Sequence, residues 1–205
     1  MKIASMMKLG LILAAYAAAA CVLLAFVYTG TEKIIAAREE KDQIDALKGI
    51  FPDADGFIVF TDAEYNDIAS PYEIVTIKAA FKAVKNDETV GVALTVSCPG
   101  YSGPIITMVG VSGAGIITGV KIMEHSDTPG LGANAASPAY FVDRAGGITF
   151  YGQFAGKSIN DPFEIRNDVA AVTASTITSK AIAQAVRAAG IAVTAWLTEV
   201  TNNEH

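Results

Sequence analysis

The run from residue 9 to residue 28 constrains this chain more than any other stretch of its 205 residues. It holds twenty residues without a charge and would extend about 30 Å as a helix, the thickness of the hydrocarbon core of a bilayer. A lone segment in lipid must satisfy its own backbone hydrogen bonds, so such a run has to be helical. A cleaved signal peptide would have a shorter apolar stretch and turn polar after its small-residue site. Residues 17–20 are all Ala and Cys21 follows, but the apolar character continues from Val22 through Tyr28. The reading is an uncleaved single-span anchor occupying residues 1–30 with its short N-terminal tail. Lys2 and Lys8 flank one side, and Lys33, Arg38 and Lys41 the other, so charge bias alone does not orient it.

The remainder differs sharply in charge. All 21 acidic residues and 13 of the 15 basic ones lie after residue 30, giving that part a net charge of −8. An acidic domain repels phosphate backbones, which argues against nucleic acid as a partner. Cys21 in the span and Cys98 in the domain cannot bridge within one folded chain of this layout, so neither a disulfide nor a cysteine metal site is indicated. His125 and His205 are too few and too far apart for a zinc centre.

Residues 31–51 are polar and charged, with Ile44, Leu47, Ile50 and Phe51 at helical spacing. They read as a helix leading from membrane to domain, stopped by Pro52 and Gly56. This assigns 31–70 to a connecting helix and linker, and 71–205 to one domain. Within it, Val75, Ile77, Ala79, Phe81 and Ala83 alternate with more polar neighbours. After a turn at Lys85-Asn-Asp-Glu88, Val90, Val92, Leu94, Val96 and Cys98 alternate again. Residues 105–111 and 116–122 form a second pair around a Gly-rich turn, and short turns demand antiparallel neighbours. The sum is a meander of about four strands. Ile182, Val186, Ala189, Val193 and Trp196 then mark a helix whose apolar stripe should cover the sheet. The fold class expected is α+β: a transmembrane helix, then a mainly antiparallel sheet with flanking helices. Residues 137–160 are mixed in pattern and carry no assignment.

Three segments carry candidate chemistry. The first has five hydroxyls, Thr173, Ser175, Thr176, Thr178 and Ser179, crowded at the start of that last helix. First-turn N–H groups lack helical partners and the aligned peptide dipoles place partial positive charge there, which suits a phosphate. An ordinary Ser/Thr cap explains the same residues equally well. The second is Pro99-Gly-Tyr-Ser-Gly-Pro-Ile105, a tight turn in which Gly100 and Gly103 let backbone approach a ligand beside Tyr101. The third, Glu124-His-Ser-Asp-Thr-Pro-Gly-Leu-Gly132, is a Pro-Gly turn. Each of the last two is, by itself, an ordinary loop. Cys98 reads as a buried apolar residue, Trp196 as core and Lys180 as an exposed helix lysine.

Together these segments resemble the FMN-binding domain family. Thr173-Ala-Ser-Thr176, with Thr178 and Ser179 after it, is similar to that family's flavinylation motif, in which the last Thr is esterified to the phosphate of FMN. The resemblance assigns that role to Thr176. Family members often have an Asp three residues before the first hydroxyl, where this chain has Ala170, with Asp168 two residues earlier. The Gly-Tyr-x-Gly-Pro-Ile element corresponds to residues 100–105. The family's His-x-Glu-Thr-Pro-Gly-Leu-Gly is matched over 125–132 with Asp127 in place of Glu. Through it, Thr128 and Leu131 inherit a place near the isoalloxazine ring, and Gly130 and Gly132 of the same loop count among the cofactor-binding residues.

With the single N-terminal span, the combination is similar to the G subunits of Rnf complexes, ion-translocating ferredoxin:NAD oxidoreductases. What this resemblance implies is a membrane-anchored flavoprotein relaying electrons through covalent FMN, with its domain outside the cytoplasm. Its partners would be the other membrane subunits of a redox-driven ion pump and, during maturation, a flavin transferase. No acid–base or nucleophilic constellation, dinucleotide-binding Gly pattern or iron–sulfur cysteine set accompanies it. Two alternatives stay open: a standalone extracytoplasmic flavoprotein, and a non-redox anchored binding module.

Overall fold

The computed structural model describes residues 3–61 and 72–203, so the expected linker–domain boundary at 70/71 lies outside the described residues. Helix α1 runs Ile3–Ile50. No proline occurs before Pro52, and the hydroxyls of Thr29 and Thr31 fold back onto the carbonyls of Phe26 and Val27. The span and the charged segment after it are therefore one continuous helix rather than two. Side chains from residue 6 to residue 42 are exposed, including Leu24, Phe26 and Val27. Among the described residues α1 is the one helix long and apolar enough to cross a membrane, as a single-pass anchor would.

The chain divides into two compact units, Met1–Gln43 and Ile44–His205. In the second, five antiparallel strands lie in chain order: β1 Gly56–Val59, β2 Thr76–Lys85, β3 Glu88–Pro99, β4 Pro104–Ser112 and β5 Ile117–Glu124. The β2–β3 turn places Asn86 at φ 51 and Asp87 at φ 64. Positive φ at both central residues is the mirror-image turn whose twist suits a hairpin, and Asn and Asp tolerate it best. Strand β1 exceeds the four-strand expectation. It has only four residues, and two of them, Ile58 and Val59, are exposed, so it shows no alternation. The stretch without an assignment contains a small ribbon, β6 Phe141–Asp143 paired with β7 Ile148–Thr149, and a 3-10 turn at Gly152–Phe154; another 3-10 turn, Gly132–Ala136, precedes it.

Alternation along the strands builds two cores. On one face Val92, Leu94, Val96 and Cys98 of β3 and Ile105, Val109 and Val111 of β4 meet helix α2, Thr176–Asn203. Ile182, Val186, Ala189, Val193 and Trp196 fill that side, and Trp196 packs edge-on against Phe60 with centroids 5.2 Å apart. On the other face Ala46, Leu47, Ile50 and Phe51, at the end of α1, cover Phe81, Ala83, Ala93 and Met108. Gly91 and Gly110 make that contact possible, because a Cβ at either would strike Phe51 or Ile50. The face covered by α2 leads directly to the first turn of that helix, where the hydroxyl cluster lies.

Candidate functional site

The start of α2 is assembled from its own hydroxyls. The Ser175 N–H donates to the Val172 carbonyl at 3.1 Å, closing a turn whose third residue, Ala174, sits at φ 58. A left-handed conformation costs a residue with a Cβ about 1–2 kcal/mol. Ser175 then occupies the cap position, and its carbonyl receives the Ser179 N–H at 3.0 Å. The fully buried Ser179 hydroxyl accepts from the Val172 N–H and donates to the Ser175 carbonyl, both at 2.9 Å. The N–H groups of Thr176, Ile177 and Thr178 make no hydrogen bond among the described residues. They present the positive end of the helix dipole with its donors free.

Two loops meet this helix end. In the first, the Gly100 N–H donates to the Gly103 carbonyl at 2.9 Å, which throws Tyr101 outward, 73% exposed. In the second, the Leu131 N–H donates to the Thr128 carbonyl at 3.1 Å. Pro129 and Gly130 are its central residues, and Gly130 at φ +81 has the positive φ a type II turn requires. Leu131 is left 45% exposed.

Asp127 ties the three segments together. It is 8% exposed. Its Oδ2 accepts the Thr178 hydroxyl at 2.6 Å, and its Oδ1 accepts the Ser102 N–H at 3.2 Å. One carboxylate thus links helix α2, the loop around residue 102 and the Thr128–Gly132 turn. Gly132 is required by closeness, since a Cβ there would overlap the Asp127 side chain.

The three segments enclose a cavity of about 440 Å³, in the usual range for a small-molecule site. Of the residues expected from sequence, Tyr101, Thr128, Leu131, Gly132, Ser175, Thr176 and Thr178 line it. Gly100, Gly103 and Gly130 shape its loops, and Ser179 points into the protein interior. Thr173 faces Tyr140, whose phenol accepts the Thr173 N–H at 3.0 Å and donates to the Thr173 hydroxyl at 3.2 Å. Those two bonds hold the Tyr140 phenol below the ordinary tyrosine range. Asp168 lies apart from the cavity. It accepts the N–H groups of Phe163 and Glu164 and pairs with Lys157 at 3.4 Å, so it clasps its own loop.

Sequence reasoning missed four contributors. Asp127 is visible only as a departure from the family's Glu, and Ala174 only as the motif's Gly/Ala position. Tyr140 and Gln153 sit in the stretch without a pattern and gave no signal. Gln153 clamps Ala170 through both its side-chain N–H and its side-chain carbonyl, at 3.1 and 2.8 Å, and so fixes the strand entering the hydroxyl turn. Cys98 is 1% exposed, and burial pushes its thiol up to about 11, which leaves an inert apolar residue.

Volume does not single this cavity out. Others of about 420 and 530 Å³ are lined by Lys180 and Arg187, and by Ile50 and Phe51, but contain none of the three motifs. The chemistry decides. Free N–H donors and the Thr176 hydroxyl suit a phosphate, while Leu131, Ile177 and Tyr101 offer apolar cover to a flat ring. The residues present therefore fit FMN.

Comparison with known proteins agrees. The FMN-binding domain profile matches residues 100–190, which contain all three segments except Pro99, and the RnfG N-terminal region profile matches residues 1–50. The G subunit of the Na(+)-translocating ferredoxin:NAD(+) oxidoreductase complex of Acetobacterium woodii is 30% identical over 194 residues, covering 87% of each chain. The G subunit of the ion-translocating oxidoreductase complex of Methanosarcina acetivorans is 31% identical over 176 residues, covering 84% of this chain and 86% of the relative. The crystal structure of NqrC from Shewanella oneidensis superposes with a TM-score of 0.50 at 16% identity, over 76% of this chain and 88% of that one. At that identity the likeness establishes the shared fold alone. The two sequence relatives, each matched over more than four fifths of this chain, carry the assignment: the chain belongs to the family of G subunits of ion-translocating oxidoreductase complexes.

Proposed function

We propose that the chain is the membrane-anchored electron-transfer subunit of an ion-translocating ferredoxin:NAD(+) oxidoreductase, carrying FMN esterified through its phosphate to Thr176. The observation that carries this reading is the meeting of three family-like segments in one cavity, with Thr176 at the free N–H groups of α2. FMN, when bound, supplies reversible uptake of electrons. The chain's own residues do the rest. The α2 N–H groups meet the phosphate, Leu131 and Ile177 keep water from the ring, and Asp127 holds the loops in register.

On this reading the domain stands outside the cytoplasm and is loaded there by a flavin transferase. A bond to the chain matters in that compartment, because a dissociated cofactor would diffuse away. The other membrane subunits of the pump supply and remove electrons. The test is purification of the tagged chain from its native membrane. The expected result is co-purification with polytopic subunits and bleaching of its flavin absorbance when reduced ferredoxin is added. A flavin-free chain that purifies alone contradicts the reading.

A further inference from the structure

The cavity where the segments meet is short of positive charge. Among the described residues lining it there is no lysine, arginine or histidine, but there is a carboxylate, Asp127. The attraction for an anion comes from backbone N–H groups and neutral hydroxyls, without a positively charged side chain. Sites that hold a phosphate dianion by affinity ordinarily use arginine or lysine as well. Of the basic side chains nearby in sequence, Lys157 pairs with Asp168, and Lys180 lines a different cavity with Arg187.

Asp127 is fixed at the cavity wall. It is buried, both of its hydrogen-bond partners donate to it, and Gly132 leaves it room. A phosphate monoester carries close to two negative charges near neutral pH, because its second pKa is about 6. Once esterified to a hydroxyl, the same phosphate carries one. Repulsion from a fixed carboxylate therefore falls on the free cofactor about twice as heavily as on the attached one.

We propose that Asp127 is a specificity-determining residue that disfavours free FMN relative to the esterified form. The cofactor is then retained by its bond to Thr176 rather than by charge, and an unattached flavin dianion leaves. The inference rests on the reading of this cavity as the FMN site.

The experiment uses the full chain in detergent with Thr176→Val, which cannot form the ester, titrated with FMN and with neutral riboflavin. The expected result is that riboflavin binds at least as tightly as FMN. Adding Asp127→Asn should raise the affinity for FMN relative to riboflavin about tenfold, any change in loop order acting on both flavins alike. Asp127→Glu, which keeps the charge, should give no such gain. A Thr176→Val chain that prefers FMN over riboflavin overturns the proposal, as does an Asp127→Asn effect equal for both flavins. Wild-type chain produced with a flavin transferase separates the two levels. If it never acquires covalent flavin, the parent reading fails. If it does while Thr176→Val prefers FMN, only this inference fails.

Discussion

The Thr178 hydroxyl donates to Asp127 across 2.6 Å, joining two residues 51 positions apart in the chain. Thr178 is 2% exposed and Asp127 8%, so the bond is largely shielded from bulk water. Thr178→Val is expected to cost about 1–3 kcal/mol, because it leaves a buried carboxylate oxygen without its donor. Thr178→Ser should recover most of that. Chemical denaturation of the three chains checks it, and an unchanged midpoint in the Val variant contradicts the role assigned to this pair.

Ala174 holds φ 58 at the third position of the turn before α2. Glycine adopts that conformation without strain but costs unfolded-state entropy, so the two terms oppose. Ala174→Gly is expected to stabilise the domain by up to about 1 kcal/mol, read as a rise in the denaturation midpoint. Flavin loading should be kept. A fall in stability would mean that the turn does not strain Ala174.

The antiparallel meander was legible because the larger apolar residues of β3, Val92, Leu94, Val96 and Cys98, alternate with the smaller or polar Ala93, Thr95 and Ser97, although both faces of the strand are buried. Asn86 and Asp87 also announce their turn by residue type. Strand β1 was not legible: four residues with two exposed apolar side chains cannot alternate. The three site segments could be found as motifs, yet their meeting depends on contacts between residues far apart. The Asp127 link to Thr178 and Ser102, and the Tyr140 link to Thr173, have no local pattern. The continuity of α1 was obscured by its composition, which changes from apolar to charged while the helical geometry does not.

Leu47, Ile50 and Phe51 close one face of the sheet, although they lie at the end of the helix that begins in the anchor or just past it. Burial of each contributes about 2 kcal/mol. A chain beginning at Thr31 retains them and is expected to fold and accept flavin when exported beside a transferase. A chain beginning at Asp53 lacks them and should be unfolded or aggregated. Near-ultraviolet circular dichroism of the two distinguishes these outcomes. A well-folded chain from Asp53 would show that the end of α1 is dispensable.

Burial raises the Cys98 thiol to about 11 from an ordinary 9.0. The folded state therefore holds this proton more tightly than the unfolded state. Its contribution to stability is complete below about pH 9 and is lost as pH rises through about 11. Denaturation midpoints measured across that window should fall more steeply for the wild type than for Cys98→Ala. Equal slopes would mean that the thiol is not shielded.

The proposed function turns on a single bond, between the Thr176 hydroxyl and the phosphate of FMN. The most direct measurement is mass spectrometry of the chain produced with a flavin transferase, followed by peptide mapping, for wild type and Thr176→Val. Wild type is expected to gain the mass of FMN less one water on the peptide containing Thr176, and the Val variant, folded, to gain nothing. Flavin retained by a denatured Thr176→Val chain, or mapped to Thr173 or Thr178, would contradict it.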